Sequence, residues 1–423
     1  MENLLHYVWK YRLFDTSKLK TPDGESIELI DPGFHNQDAG PDFFNAKLKI
    51  GGTLWAGNVE IHVRASDWNR HGHQQNESYN SVIAHIISDN DCVVYNQRGE
   101  KIMPLEIDYP HHLENKYISL LRCGHSIPCS HFLSDHFSFP FGWKHRLLLE
   151  RMETKTQWLH DYAEKNKYDW DDLCYKAIAR AFGFGINAEP FERLARITPY
   201  NIIRKHQDSL FQLEAILLGQ AGFLEDLPEK RDRYDRLYRE YNYLKHKYDL
   251  TGIDKQNWKL SLTHAGNFPV IRIVEFAALL YHRGRLFAEI IKEERDLSSW
   301  SQLFRVDTDV FWDTHYSFEE LSPRKKKRIG SNSINGLIIN AVIPLLFAYN
   351  RYIGDEKYAE WAFNLLYQLK AEDNSIIRNW RSVGITIDSA YESQAFIQLQ
   401  KEYCNRKKCL FCQIGYRIMS DHS

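Results

Sequence analysis

Residues 35–91 read HNQDAGPDFFNAKLKIGGTLWAGNVEIHVRASDWNRHGHQQNESYNSVIAHIISDND. Phe43 to Ile50 alternates, with Phe44, Ala46, Leu48 and Ile50 on one face and Asn45, Lys47 and Lys49 on the other, as a strand with one covered face requires. Gly51-Gly52 supplies a turn. Leu54 to Arg64 then alternates again, so the pair predicts an antiparallel hairpin. On the second strand Asn58, Glu60, His62 and Arg64 share one side, opposite Trp55, Gly57, Val59, Ile61 and Val63. The pattern leaves open whether that polar side meets water or forms a site. Residues 66–78 are polar and read as a loop or short helix, and SVIAHII (81–87) as an apolar strand. Within it His85 shares a face with Ile83 and Ile87.

Outward from this stretch the chain divides by periodicity. Residues 2–14 predict a short helix with Leu5, Val8, Trp9 and Leu13 on one side. TPDGESIEL predicts a turn and a strand. Cys92–Tyr95 and Ile102–Ile107 predict further short strands, the latter at an edge because Pro104 cannot donate to a ladder. Together these give an α+β domain over residues 1–110 with a mixed β-sheet. A linker rich in Pro, Cys and His spans 111–141. From 142 to 423 helical periods dominate, as in WKHRLLLERMETKTQWLHDYAEKN and SLFQLEAILLGQAGFL, and predict a larger all-helical domain. No fixed-period repeat marks a solenoid.

With 423 residues and 43% hydrophobic content, the chain can bury a core in each of two or three domains. A net charge of −2 gives no global support for nucleic-acid binding, so any such contact needs a local basic patch. The densest is PRKKKR, with Arg324, Lys325, Lys326, Lys327 and Arg328 ahead of a helix start, a place where phosphate can be met. Equally, such a run serves as a solvated loop. The N-terminus lacks a basic region and cleavage site, and the longest apolar run, 336–349, is interrupted by Asn340 and Pro344. The expectation is a cytoplasmic protein with no membrane span. No P-loop, dinucleotide fingerprint or nucleophile elbow is present.

The strings AGPDF, WAGNVEIH, SDW with HGH, FGFGIN, LEAILLGQAGFL, NFPVIRI and YCNRKKCLFCQIG, taken in order, resemble the bacterial family known as domain of unknown function 2851, from Trp9 to Gly415. That resemblance implies a bacterial protein and brings no assigned catalytic residues.

Residues 25–110 also resemble the core of restriction-endonuclease-like nucleases. In that superfamily an Asp opens the second core strand, and an acidic residue, any residue and Lys follow on the third. Here Asp42 opens FFNAKLKI and Glu60-Ile61-His62 lies on the next strand, with His where Lys is usual. The resemblance implies that Asp42 and Glu60 hold Mg²⁺ or Mn²⁺ and that His62 orients or deprotonates water, in a nuclease or related phosphodiesterase acting on DNA or RNA. Asp38, His71, His73 and His85 are supporting candidates. The alternatives are a turn-capping Asp42, a solvated strand face, and a hydrogen-bonded core His85, in a non-catalytic nucleic-acid or protein-binding factor with a helical scaffold.

Cys404, Cys409 and Cys412 have the spacing C-x4-C-x2-C, which can supply thiolates to zinc or an iron–sulfur cluster, with Cys123 or Cys129 as a fourth ligand. The alternative is an apolar plug of buried thiols, the role expected of Cys92 and Cys174.

Overall fold

The computed structural model describes residues 1–36, 38–133, 139–225, 232–260, 268–319 and 321–420. Residues 134–138 of the expected linker lie outside the described residues. By its internal contacts the chain forms two units, one of residues 1–143, 382–385 and 399–423, the other of 144–381 and 386–398. The architecture is α+β, a mixed sheet followed by a large helical body.

The first unit opens with α1 (Glu2–Tyr11), whose Leu4, Leu5, Val8 and Trp9 are buried. The strands are β1 (Ile27–Asp31), β2 (Phe34–His35), β3 (Phe43–Ile50), β4 (Thr53–Arg64), β5 (Val82–Asp89) and β6 (Pro104–Glu106), with α2 (Asp67–Arg70) between β4 and β5 and α3 (His111–Arg122) after β6. Sheet order is β1-β3-β4-β5-β6, with β2 also on β3. β1, β3 and β4 form an antiparallel meander, and β5 and β6 add in parallel. Pro104 starts the outermost strand, where its missing N–H costs no ladder bond. Cys92–Tyr95, expected as a strand, contributes only an isolated bridge, Tyr95 to Lys101.

The hairpin forms as its turn residues require, Ile50 facing Thr53 across Gly51-Gly52, both glycines with positive φ. Its alternation breaks at one place. Pairing jumps from Phe43↔Val59 to Ala46↔Gly57, and Asn45 takes φ 58°. This bulge puts Phe43 and Ala46 inward and leaves Phe44 only half-buried, so the inward face expected to include Phe44 starts one residue earlier. A second irregularity faces it: Asn58 pairs with Val82 but Val59 with Ala84, leaving Ile83 over Gly57, where a Cβ would lie 2.3 Å from the Ile83 side chain.

In the helical unit Leu210–Gln220 is buried almost all round. It packs between Asp232–Tyr248 and Pro269–His282, with Gly219 seated directly on the Tyr241 ring. The helical run Ser331–Ile353 is continuous through Asn340 and Pro344, because the backbone widens to a π turn at Ile338–Val342 just before the proline. By length and composition it could cross a membrane; most of its apolar window is buried inside the fold, as in a core helix.

Candidate metal centre

β4 runs through the middle of the sheet, and both of its faces are covered over Val59–His62. Glu60 is 4% exposed and His62 1%. The side read from sequence as either wet or a site is therefore a buried polar row, which must find partners or a ligand.

Asp42 precedes the first residue of β3 and lies across from Glu60. The Asp42 N–H donates to Glu60 Oε2 at 3.1 Å, and the Ile61 N–H donates to Asp42 Oδ2 at 2.9 Å. Each carboxylate is thus fixed by the backbone beside the other. No cation bridges them among the described residues, apart from the imidazole of His6 on α1, whose Nε2 lies 3.3 Å from Asp42 Oδ2. Burial pulls the His6 pKa down, and Asp42 more than offsets this, leaving it above the ordinary histidine value. Glu60 faces the imidazoles of His73 and His62 instead, whose pKa values burial lowers. Burial, with the Asp42 charge added, holds its carboxyl far above the usual carboxylate range.

The imidazoles come from three places. His62 follows Glu60 on β4. β5 runs parallel to β4, pairing Glu60 with His85 and His62 with Ile87, which sets His85 beside His62. His62 Nδ1 lies 2.8 Å from His85 Nε2. After α2 the chain turns at Gly72, φ 79°, a conformation glycine enters without strain, and this brings both flanking histidines back to the sheet. His71 Nδ1 lies 3.1 Å from His62 Nε2, and His73 Nε2 lies 3.0 Å from Glu60 Oε1 without the geometry of a hydrogen bond. His62 Nε2 is 3.6 Å from the same Glu60 oxygen. Trp68 and Tyr79 form the floor: Trp68 packs against the rings of His73 and His85, and Tyr79 stacks on His73 at 3.9 Å between centroids. Both belong to a small core with Val82, Val94 and Ile102.

One nitrogen from each of His62, His71 and His73 falls within 4.8 Å of the other two. Donors at right angles around an ion ~2.1 Å away lie ~3 Å apart, which is the spacing seen here between His62 and His71 and between His73 and Glu60. The group can hold a divalent metal ion. Burial, and the neighbouring His85, His73 and His71, pull the His62 pKa down to about 2, so this ring stays neutral and keeps a lone pair for a cation. Burial does the same to His85, to about 4, and lowers His73. With His62 Nε2 turned to the ion, its Nδ1–H donates to His85 Nε2, the arrangement that orients metal-bound histidines. His85 Nδ1 is buried without a hydrogen-bond partner.

Asp42, Glu60, His62, His71, His73 and His85 thus converge. Asp38 does not: it is exposed in a turn where its N–H donates to Asn36 Oδ1, and no contact among the described residues joins its carboxylate to the cluster. His6 was not singled out in the sequence, where it sits between Leu5 and Tyr7; a histidine flanked by core positions on a short helix is its only signal.

Cys404, Cys409 and Cys412 are buried and line one cavity, with Cys129 on its wall. Cys123 is half-buried and does not line it. Among the described residues no three of these sulfurs lie within 4.8 Å of one another, so they do not make the tight sphere that a single ion needs. The basic run of the helical unit is largely engaged. Arg328 and Lys326 pair with Asp307, and Lys327 is buried over the Tyr316 ring with its Nζ 3.1 Å from Ser322 Oγ. The Lys325 N–H is used by the Asp313 carbonyl, while the side chains of Arg324 and Lys325 are exposed.

Residues 2–375 match the model of the family described as "Protein of unknown function (DUF2851)". No curated protein and no solved structure matches the chain.

Proposed function

The chain belongs to the DUF2851 family, so its chemistry has to be argued from its own residues, and we propose that it is a metal-dependent phosphodiesterase of nuclease type acting on DNA or RNA. The observation that carries this is the pair Asp42 and Glu60, Glu60 fixed by the Asp42 N–H and Asp42 by the Ile61 N–H, beside imidazole nitrogens spaced as donors to one ion. Support comes from their places in the sheet: Asp42 opens the second strand of the β1-β3-β4 meander and Glu60 lies on the third, the layout of restriction-endonuclease-like cores.

In this reading His62, His71 and His73 hold the ion with Glu60 beside them, and Asp42 ligates from the residue before β3. Nitrogen donors suit Mn²⁺ better than Mg²⁺, which takes oxygen and keeps its water. The bound ion lowers the pKa of water and offsets charge on phosphoryl oxygens. The protein's own work is positional. His85 holds the His62 ring. His6 holds Asp42. The proton-taking role expected of His62 finds no free nitrogen there, since Nδ1 meets His85 and Nε2 meets His71. An ionised Glu60 is stabilised only once the cation is present.

The test is to incubate the protein with single- and double-stranded DNA and RNA, with Mn²⁺, Mg²⁺ or chelator. Cleavage should require metal, prefer Mn²⁺, and vanish in Asp42→Asn and Glu60→Gln. No cleavage of any substrate, or cleavage that survives both substitutions, overturns the reading in favour of a non-catalytic binding factor.

A further inference from the structure

The cysteines do not belong to the sheet site, and the centre proposed above does not need them. Two segments far apart in sequence meet around them within the first unit. One is the turn after α3, residues 123–129. The other is residues 399–415, a π turn (Leu399–Cys404), a 3-10 turn (Cys409–Phe411) and the start of helix Gln413–Ser420. The cavity between them is lined by Cys129, Cys404, Cys409 and Cys412, and otherwise by Leu120, Pro128, Tyr403, Ile414 and the Gly415 backbone. Every sulfur that lines it is buried, at 7–8% exposure.

We propose that Cys129, Cys404, Cys409 and Cys412 hold a cubane iron–sulfur cluster that ties residues 123–129 to residues 404–415.

The size of the space distinguishes a cluster from one ion. Four sulfurs around zinc, each ~2.3 Å from the metal, lie ~3.8 Å from one another and leave no room for a water at their centre. Here no three of the four sulfurs come within 4.8 Å of one another, although all four cysteines line one cavity. A cubane interposes its own iron and sulfide between the thiolates, so it needs them farther apart around an open centre.

Burial disfavours the thiolates, and nearby groups offset this only in part. The backbone N–H groups of Ile414 and Gly415, in the first turn of the last helix, point at Cys412 Sγ. Gly415 cannot be replaced here, since a Cβ would lie 1.9 Å from the Cys409 carbonyl oxygen. Lys407, in the left-handed region at φ 51°, donates from Nζ to the Cys123 carbonyl at 2.7 Å and brings a positive charge toward Cys404 and Cys409. Gln400 Nε2 donates to the Ser126 carbonyl at 2.6 Å, the second polar tie between the two segments. The remaining wall is apolar, as suits a cofactor kept from water.

The experiment uses the full chain purified without oxygen. Iron, acid-labile sulfide and zinc are measured, with electron paramagnetic resonance before and after reduction. The expected result is about four iron and four sulfide per chain and a cluster signal in the wild-type protein. Cys129→Ser and Cys412→Ser should lose most of the iron, whereas Cys123→Ser and Cys174→Ser should keep it. One zinc without sulfide, or no metal with all of these thiols open to alkylation in the folded protein, overturns the proposal, and so does full iron retention by Cys129→Ser. Because the wild-type measurements need no variant, a variant that fails to fold does not blur the outcome.

Discussion

Buried charge is handled in two ways in this molecule. In the helical unit Glu214 is fully buried, yet one carboxylate oxygen accepts from Arg233 at 2.6 Å and the other from the Trp312 indole at 3.0 Å. Arg272 and Glu275, neighbours on one helix, pair at 2.7 Å, and Arg272 also donates to Ser333 Oγ at 2.9 Å. In the sheet unit Glu60 is as deeply buried, but its neighbours are another carboxylate and neutral imidazoles. The titration reflects the contrast. Burial raises Glu214 to about 7, with Arg233 pulling it back, whereas Glu60, beside Asp42, goes far higher. Paired burial makes structure. Unpaired, convergent burial leaves a cation's place to be taken.

Substitutions should separate the two regions. The largest effect is expected on activity: Glu60→Gln or Asp42→Asn should cost at least ~10³-fold in cleavage rate, with the metal-free denaturation midpoint changed little, because each amide keeps an oxygen to accept its backbone N–H. A midpoint that falls in step with activity would show the pair to be structural instead. Arg233→Ala should do the reverse, destabilising by about 3–5 kcal/mol because Glu214 is left buried with no cation and only the Trp312 indole, while the molecules that remain folded cleave normally. Calorimetric melting alongside the cleavage assay reads both.

The orienting histidine gives a smaller effect. His85→Ala should weaken Mn²⁺ binding by about 10–100-fold, measured by isothermal titration, since His62 keeps its lone pair but loses what aims it. An unchanged affinity would remove His85 from the site.

In the presence of chelator, pH should reveal the two kinds of group together. His62, His73 and His85 are held below the histidine value of 6.5 by burial first. The unfolded chain therefore takes up protons that the folded one refuses, and stability is lost as pH falls through the unfolded histidine range. Glu60 acts oppositely. Its raised pKa contributes stability that is full below the unfolded carboxylate value and is lost as pH rises through neutral and beyond. Urea midpoints should then peak near neutral pH in chelator, and Mn²⁺ should abolish the alkaline decline. A decline that persists with Mn²⁺ bound would assign it to other groups. The smallest effect belongs to the exposed pair: Arg328→Ala should leave the denaturation midpoint nearly unchanged and leave cleavage unaltered, and a large loss of cleavage there would restore the basic run as a nucleic-acid contact.

Much of this was legible in the residues. Alternation over Phe43–Ile50 and Leu54–Arg64, with Gly51-Gly52 between, is a local pattern with a local cause, and the hairpin formed. Pro104 named its own edge strand. What stayed hidden depended on partners distant in sequence. Nothing in NVEIHV tells that β5 lies parallel on its far side and closes the polar row, nor that Asn45 enters the left-handed region and shifts the inward face to Phe43. His6 reaches Asp42 only because α1 packs on β4. The spacing of the late cysteines was visible; the width of the gap between their sulfurs was not.

The first unit is closed by residues 399–423, after the entire helical body has been specified. On a ribosome this order is also a schedule. Cys129 emerges well before Cys404, and at about 5–20 residues per second the interval is on the order of tens of seconds. Throughout it the sheet and α3 wait without the segment that covers them, with apolar wall and free thiol exposed to chaperones and oxidants. A nascent chain stalled before residue 399 should therefore be a better chaperone substrate than the finished protein, with its vulnerable surface at α3 and Cys129 rather than in the helices made last.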